Sequence, residues 1–247
     1  MAQPSVYRRL RTTAGALLPT DKRTQVGRWE RALRARRATD LDALALHYGT
    51  DKSTAGHAYT PIYQRLLGAR RRQVTSVLEI GVGGTSSWHG YETLAGGHSL
   101  RMWRDYFPNA RIVGIDLHAK GVAAPRISFE QGDQADPNFL KHIADVYGPF
   151  DLVIDDGSHI GRHIRASFEV LWDAVTPGGF YVIEDLEVAY DPEWEGGPPG
   201  TPGTAVELLK ELVDSTVARH GGSYKPPISA MHLHANIAFI KRAAPTD

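Results

Sequence analysis

Four short apolar runs, each closing on an acid or a glycine, constrain this chain more than anything else in it: Val77-Leu78-Glu79-Ile80-Gly81, Ile112-Val113-Gly114-Ile115-Asp116, Leu152-Val153-Ile154-Asp155 and Phe180-Tyr181-Val182-Ile183-Glu184. Continuous apolar runs without strict alternation suit strands buried on both faces of a parallel sheet. A further strand is read at Ile127-Ser128-Phe129-Glu130, and amphipathic stretches at 99–107, 137–147 and 163–175 are long enough for crossover helices. Strands alternating with helices imply an α/β fold, a doubly wound Rossmann-like sheet with helices on both faces. Ligands of such sheets sit outside the carboxyl ends of the strands, where these acids fall.

Around that centre, residues 41–67 read as two helices separated by the polar loop Tyr48-Gly49-Thr50-Asp51-Lys52-Ser53. Thr176-Pro177-Gly178-Gly179 reads as a turn that stops a helix before the next strand, and 196–203, rich in Gly and Pro, as a mobile loop. A helix is expected over about 204–219, and late strands over 228–233 and 237–241. Residues 1–40 are basic, with Arg31, Arg34, Arg36 and Arg37, and read as an exposed helix or leader that offers a solvated face or an oligomer contact. The expected division is a helical N-terminal extension and lid over 1–70 and a catalytic domain over 71–247.

Lys plus Arg equals Asp plus Glu at 28 each, which argues against nucleic acid or an anionic membrane as partner and favours a neutral small molecule. The absence of cysteine excludes disulfides, thiolate metal sites and cysteine nucleophiles, so any metal takes oxygen or imidazole ligands. No uncharged apolar run reaches the roughly 18 residues of a membrane span. Arg8, Arg9 and Arg11 before a short apolar stretch ending at Pro19 echo a signal peptide only faintly. The expected setting is therefore cytoplasmic, and the expected working form a homo-oligomer.

Glu79-Ile80-Gly81-Val82-Gly83-Gly84 follows a strand, and Gly81 and Gly83 let the backbone turn tightly against a ligand. Such loops serve nicotinamide, flavin and S-adenosylmethionine proteins alike. Glu79 decides between them, because a carboxylate repels a pyrophosphate but suits a cationic sulfonium ligand with an amino group. Asp116, with Leu117 beside it, ends the next strand in position for the ribose hydroxyls, and Asp133 and Gln134 follow the third strand where adenine would lie. The rivals are a nicotinamide-dependent oxidoreductase and a non-catalytic adenine-nucleotide-binding module.

Asp155-Asp156-Gly157-Ser158-His159 and Glu184-Asp185 put four carboxylates and an imidazole at neighbouring strand ends. Uncompensated, those charges are costly, and a hard divalent cation such as Mg2+ is the usual remedy. Consecutive strand residues point oppositely, so Asp155 and Asp156 take different roles. Asp156, three residues from His159 across a Gly-Ser turn, is assigned to the metal and to the cofactor side. His159 is then the candidate general base, with a metal-ligand or capping role as the alternatives and Asp155 as the other catalytic candidate.

These segments, together with Ser99-Leu100-Arg101-Met102-Trp103-Arg104-Asp105-Tyr106-Phe107-Pro108 and Gly178-Gly179-Phe180, resemble the macrolide-type sugar O-methyltransferases, the demethylmacrocin and mycinamicin VI 2''-O-methyltransferase group. The resemblance runs from about Leu46 to Tyr190. It implies a class I methyltransferase sheet, S-adenosylmethionine and Mg2+ as cofactors, and a deoxysugar hydroxyl on a glycosylated natural product as acceptor. It also implies Asp156, Glu184 and Asp185 as metal ligands and His159 as base. Tyr48, Lys52, Tyr59 and Thr60 match the family's N-terminal segment, which places Tyr48 and Lys52 over the cofactor.

Overall fold

The computed structural model describes residues 39–83, 96–217 and 227–244. Along it run α1 (Leu41–Tyr48), α2 (Thr60–Leu67), β1 (Ser76–Ile80), α3 (His98–Tyr106), β2 (Arg111–Asp116), β3 (Ile127–Gln131), α4 (Pro137–Tyr147), β4 (Phe150–Asp155), α5 (Gly161–Leu171), β5 (Val175–Ile183), α6 (Ala205–Val217), β6 (Ile228–His234) and β7 (Ile237–Arg242). The strands form one seven-stranded sheet in the order β3-β2-β1-β4-β5-β7-β6, parallel from β3 to β5 and with β7 antiparallel to both neighbours. This is the doubly wound sheet expected, and the order of its parallel strands reverses between β1 and β4, which opens the crevice at their carboxyl ends.

Local chemistry places the helix ends. Asp40 caps α1 by accepting from Asp42 N and Ala43 N, and Gly49, at φ 71°, closes it. Asp136 caps α4, with Pro137 at its first position. The two faces of the sheet bury separate layers. Leu41, Leu44, Tyr63, Leu67 and Trp103 pack with Val77, Ile112, Leu152 and Val182, whereas Leu140, Phe168, Leu171 and Leu209 pack with Leu78, Val113, Val153 and Tyr181.

The structure refines these expectations. The helices at 41–67 share one hydrophobic layer with the sheet, and residues 1–38 lie outside the described residues. The stop expected at 176–179 is part of β5, which begins at Val175 and is absorbed as a register irregularity opposite Phe150 and Leu152. Gly178, at φ 77°, permits it, and Asp151 fastens the neighbourhood by accepting from Thr75 N, Ser76 N and Thr176 Oγ1. Finally, 196–203 has no helix or strand, as expected, but Gly196 N and Gly197 N donate to Asp191 O and Ala189 O, which ties the segment down. The helix read over 163–175 begins two residues earlier, at Gly161, and ends at Leu171.

Candidate active site

The pleat sorts the acids. Val77, Ile154 and Val182 face the layer of α1–α3, so Glu79, Asp156 and Glu184, each two residues further along, project toward that same face at the ends of adjacent strands. Val153, Tyr181 and Ile183 face the opposite layer, and Asp155 goes with them. The loop after α1 delivers Lys52 into the first group. Its Nζ lies 2.5 Å from Asp156 Oδ2, bonds Glu184 Oε2 and stands 3.5 Å from Glu79 Oε1, with the residue 1% exposed.

Burial dominates the electrostatics here. It pushes the Glu79 carboxyl up to about 7 in spite of Lys52, and raises Asp156 and, further, Glu184 above the usual carboxylate range. Burial alone would lower Lys52, but Asp156, Glu184 and Glu79 outweigh it and hold the ammonium charged. Tyr63 OH donates to Glu184 Oε1 at 2.6 Å and Tyr59 OH to Asp185 Oδ1 at 2.5 Å, so both phenols are held above their ordinary pKa, by burial first and by these carboxylates second. His57 Nδ1 is 3.5 Å from Asp185 Oδ1.

Asp185 and His159 both sit in left-handed backbone, at φ 56° and 59°. For residues other than glycine this costs on the order of 1–3 kcal/mol each and persists where surrounding contacts enforce it. The result is convergence: one ligand atom each of Asp156, His159 and Asp185 lie within 4.8 Å of one another, the group among the described residues with metal-holding spacing. His159 Nε2 is 3.6 Å from Asp185 Oδ2, and the Trp194 ring meets the imidazole edge-on at 5.5 Å. The two carboxylates of this group fit a hard divalent cation, which takes oxygen ligands, while the imidazole, a ligand of softer metals, stands beside them. Glu184, expected among the ligands, has its two oxygens on Lys52 and Tyr63.

Asp155 has a different surrounding. It is 1% exposed and accepts from Tyr181 OH at 2.9 Å and Gln134 Nε2 at 3.2 Å, while burial lifts its carboxyl to about 6. It lies in the wall behind the cleft, which does not suit the catalytic role considered for it. Gln134, expected beside adenine, is likewise buried and fully engaged: Oε1 accepts from Ser158 N at 2.6 Å and Nε2 reaches Asp155 and Ser167 Oγ.

On the cofactor side, Gly81 at φ 83° donates to Ile115 O, and a Cβ there would overlap the Asp156 carbonyl; at Gly83, φ 63°, a Cβ would meet no atom of the described residues within 4 Å. Gly84 falls outside the described residues. Asp116 Oδ2 accepts from Val82 N at 3.0 Å and Oδ1 from His118 N at 2.8 Å, which leaves a lone pair on each oxygen for a hydroxyl. Leu117 beside it is 58% exposed, an apolar surface next to an acceptor. Asp133 is exposed and caps Ala135 N. Glu79 accepts from Ser99 Oγ at 2.8 Å, while its Oε1 is buried without a hydrogen bond and faces the Lys52 ammonium at 3.5 Å. Tyr48 is used otherwise than expected: its hydroxyl donates to Asp105 Oδ2 at 2.5 Å, which ties α1 to α3, and burial and Asp105 raise its pKa to about 12.

Residue types alone did not single out Tyr63, His57 and Trp194. Tyr63 reads as one more apolar position of α2, although its four-residue offset from Tyr59 puts both phenols on one side of the chain entering the site.

No protein-family model matches the chain. It is 43% identical over 219 residues to mycinamicin VI 2''-O-methyltransferase of Micromonospora griseorubida, covering 83% of this chain and 53% of that protein. It is 38% identical over 213 residues to 8-demethyl-8-alpha-L-rhamnosyl tetracenomycin-C 2'-O-methyltransferase of Streptomyces olivaceus, with 83% and 55% covered. With demethylmacrocin O-methyltransferase of Streptomyces fradiae it shares 41% over 221 residues, with 84% and 54% covered. Among solved structures, the methyltransferase of the mycinamycin biosynthetic pathway in complex with Mg, SAH and mycinamycin VI superposes with a TM-score of 0.75 at 43% identity, over 83% of this chain and 54% of that one. The chain spans about half the length of the curated relatives it matches.

Proposed function

We propose that this chain, a relative of the macrolide-type sugar O-methyltransferases, transfers a methyl group from S-adenosylmethionine to a hydroxyl of a deoxysugar on a glycosylated natural product, with Mg2+ as the second cofactor. The observation that carries the reading is the convergence of Asp156, His159 and Asp185 within 4.8 Å, at strand ends that also present the Gly81 turn and Asp116. The relatives, named for sugar methylation on macrolides and tetracenomycins, support the acceptor class.

When bound, S-adenosylmethionine supplies an electrophilic methyl group and Mg2+ the Lewis acidity that makes a sugar hydroxyl easier to ionise. Asp156 and Asp185 would hold the cation, with Glu184, which shares Lys52 with Asp156, as the third carboxylate. His159 takes the proton from the acceptor hydroxyl, since imidazole is the side chain most often used to move a proton at neutral pH. Asp185, 3.6 Å away, stabilises the imidazolium that results, and Trp194 limits how far the ring can turn. Asp116 holds the ribose hydroxyls, Glu79 accepts from the amino group, and Leu117 offers apolar surface to the base. Lys52 and Tyr63, both fully buried, keep water from the carboxylates behind the cleft.

A homo-oligomer in the cytoplasm belongs to the same reading. Exposed Val213 and Leu233 on the rim of an apolar groove of about 540 Å3 support an assembly, which sedimentation would test. No described helix is long and apolar enough to cross a membrane. The function is tested by incubating the protein with labelled S-adenosylmethionine, Mg2+ and a panel of rhamnosylated polyketides, then locating the new methyl. Calorimetry should give binding of S-adenosylhomocysteine and none of NAD or ATP; the reverse preference would overturn the reading.

A further inference from the structure

Behind the cleft lies a buried polar network that the chemistry above does not use. Gln134 is its centre: its amide accepts from Ser158 N at 2.6 Å and donates to Asp155 Oδ1 and Ser167 Oγ, both at 3.2 Å. Asp155 is held from the other side by Tyr181 OH, and Ser167 Oγ reaches His163 O at 3.0 Å. Ser158 Oγ pairs with His163 Nδ1 at 2.9 Å, which fastens the start of α5 to the same turn. Gly157 has no side chain where Gln134 packs, and a Cβ there would overlap Gln134 Oε1. Three of these contacts fall on residues 157–158, the two that separate Asp156 from His159: Ser158 N to Gln134, Ser158 Oγ to His163, and the Gly157 backbone against Gln134 Oε1. His159 itself stands in left-handed backbone, a conformation kept only when neighbours over-determine it.

We propose that Gln134, backed by Asp155 and Tyr181, is a positioning residue that sets the Asp156-to-His159 turn, and is not a contact to the cofactor. The proposal rests on the methyltransferase reading for its consequence in kcat, but not for its consequence in metal affinity. The amide fits this role because it is acceptor and donor at once: Oε1 takes the Ser158 N–H while Nε2 faces a carboxylate. A shift of the turn moves Asp156 and His159 together, one a candidate ligand and the other the candidate base. Groups that orient ligands from behind typically matter by 10–100-fold in metal affinity or activity.

The test is a charge swap in the full chain. Gln134→Glu keeps an acceptor for Ser158 N but sets a carboxylate against Asp155; in Gln134→Glu/Asp155→Asn the new Asn amide donates to the Glu, and its oxygen still accepts from Tyr181. Calorimetric titration with Mg2+ should show Gln134→Glu weakened by about 10-fold or more, and the double variant restored to within about 3-fold of wild type. S-adenosylhomocysteine affinity should stay within about 2-fold throughout, and kcat should follow Mg2+ affinity while KM for the acceptor does not. Loss of S-adenosylhomocysteine affinity with Mg2+ affinity intact would make Gln134 an adenine contact and overturn the proposal. A double variant as impaired as the single, or a fall in melting temperature with Mg2+ affinity and kcat unchanged, would also overturn it. If wild type binds Mg2+ but methylates no acceptor, the methyltransferase reading fails while the swap still decides the positioning role.

Discussion

Asp155 and Asp156 are neighbours in the chain and opposites in environment. Asp156 faces the α1–α3 side, where three carboxylates share the single charge of Lys52 and where Asp156, His159 and Asp185 converge within 4.8 Å, a spacing suited to a cation. Asp155 faces the α4–α6 side, where no lysine or arginine among the described residues pairs with it, and is held by a phenol and an amide. Burial lifts the carboxyls on both faces, Glu79 to about 7 and Asp155 to about 6, but only on the cleft face does a buried ammonium oppose that rise. The cleft face can therefore attract a cation and move a proton, while the rear face can only hold shape.

The sharpest way to break this comparison is at His159. His159→Ala should lower kcat by about 10²–10⁴-fold with S-adenosylhomocysteine and Mg2+ affinity nearly intact, as steady-state kinetics and calorimetry would read. A variant that loses Mg2+ instead would move His159 from base to ligand.

Lys52 measures how strongly the cleft face depends on compensation. Lys52→Met strips the ammonium from three buried carboxylates, and denaturant unfolding in EDTA should show a loss of about 3–5 kcal/mol, the usual cost of leaving one side of a buried pair. Added Mg2+ should recover part of it. Unchanged stability would mean that the carboxylates are neutral and need no partner.

The rear face has a pH signature of its own. Asp155 titrates at about 6 when folded against 3.8 for an ordinary aspartate, so between those values the native state binds more protons than the unfolded one. Stability from this group is then complete below pH 4 and is lost as pH rises through 6, about 3 kcal/mol in all. Asp155→Asn should flatten that part of the stability profile in thermal scans from pH 4 to 7. A slope that survives in the Asn variant would assign it to another group.

The smallest expected effect lies further along the crevice. Asp116→Ala should weaken S-adenosylhomocysteine by about 1.5–3 kcal/mol, the range for a lost hydrogen bond to a charged group, with Mg2+ affinity unaltered. Equal affinity in wild type and variant would leave the ribose without its acceptor.

What the sequence alone determined was the frame. Continuous apolar runs can be buried only in a covered parallel sheet, and acids that end such runs arrive at its carboxyl edge, so β1 to β5, Asp116 and the Asp156–His159 and Glu184–Asp185 segments were legible without coordinates. Period-2 alternation also separated Asp155 from Asp156. The tertiary structure alone decided which long-range partners meet those acids. Lys52 and Tyr63 come from segments 104 and 121 residues away from the carboxylates they bind, and Gln134 lies 24 residues from the turn that it holds. Tyr63 looks like any apolar helix position, and Gln134 like any polar loop residue. A side chain's local pattern states which face it occupies, but its role is set by what the packed fold brings within 3 Å of it, and that depends on how α1, α2 and the sheet share one core.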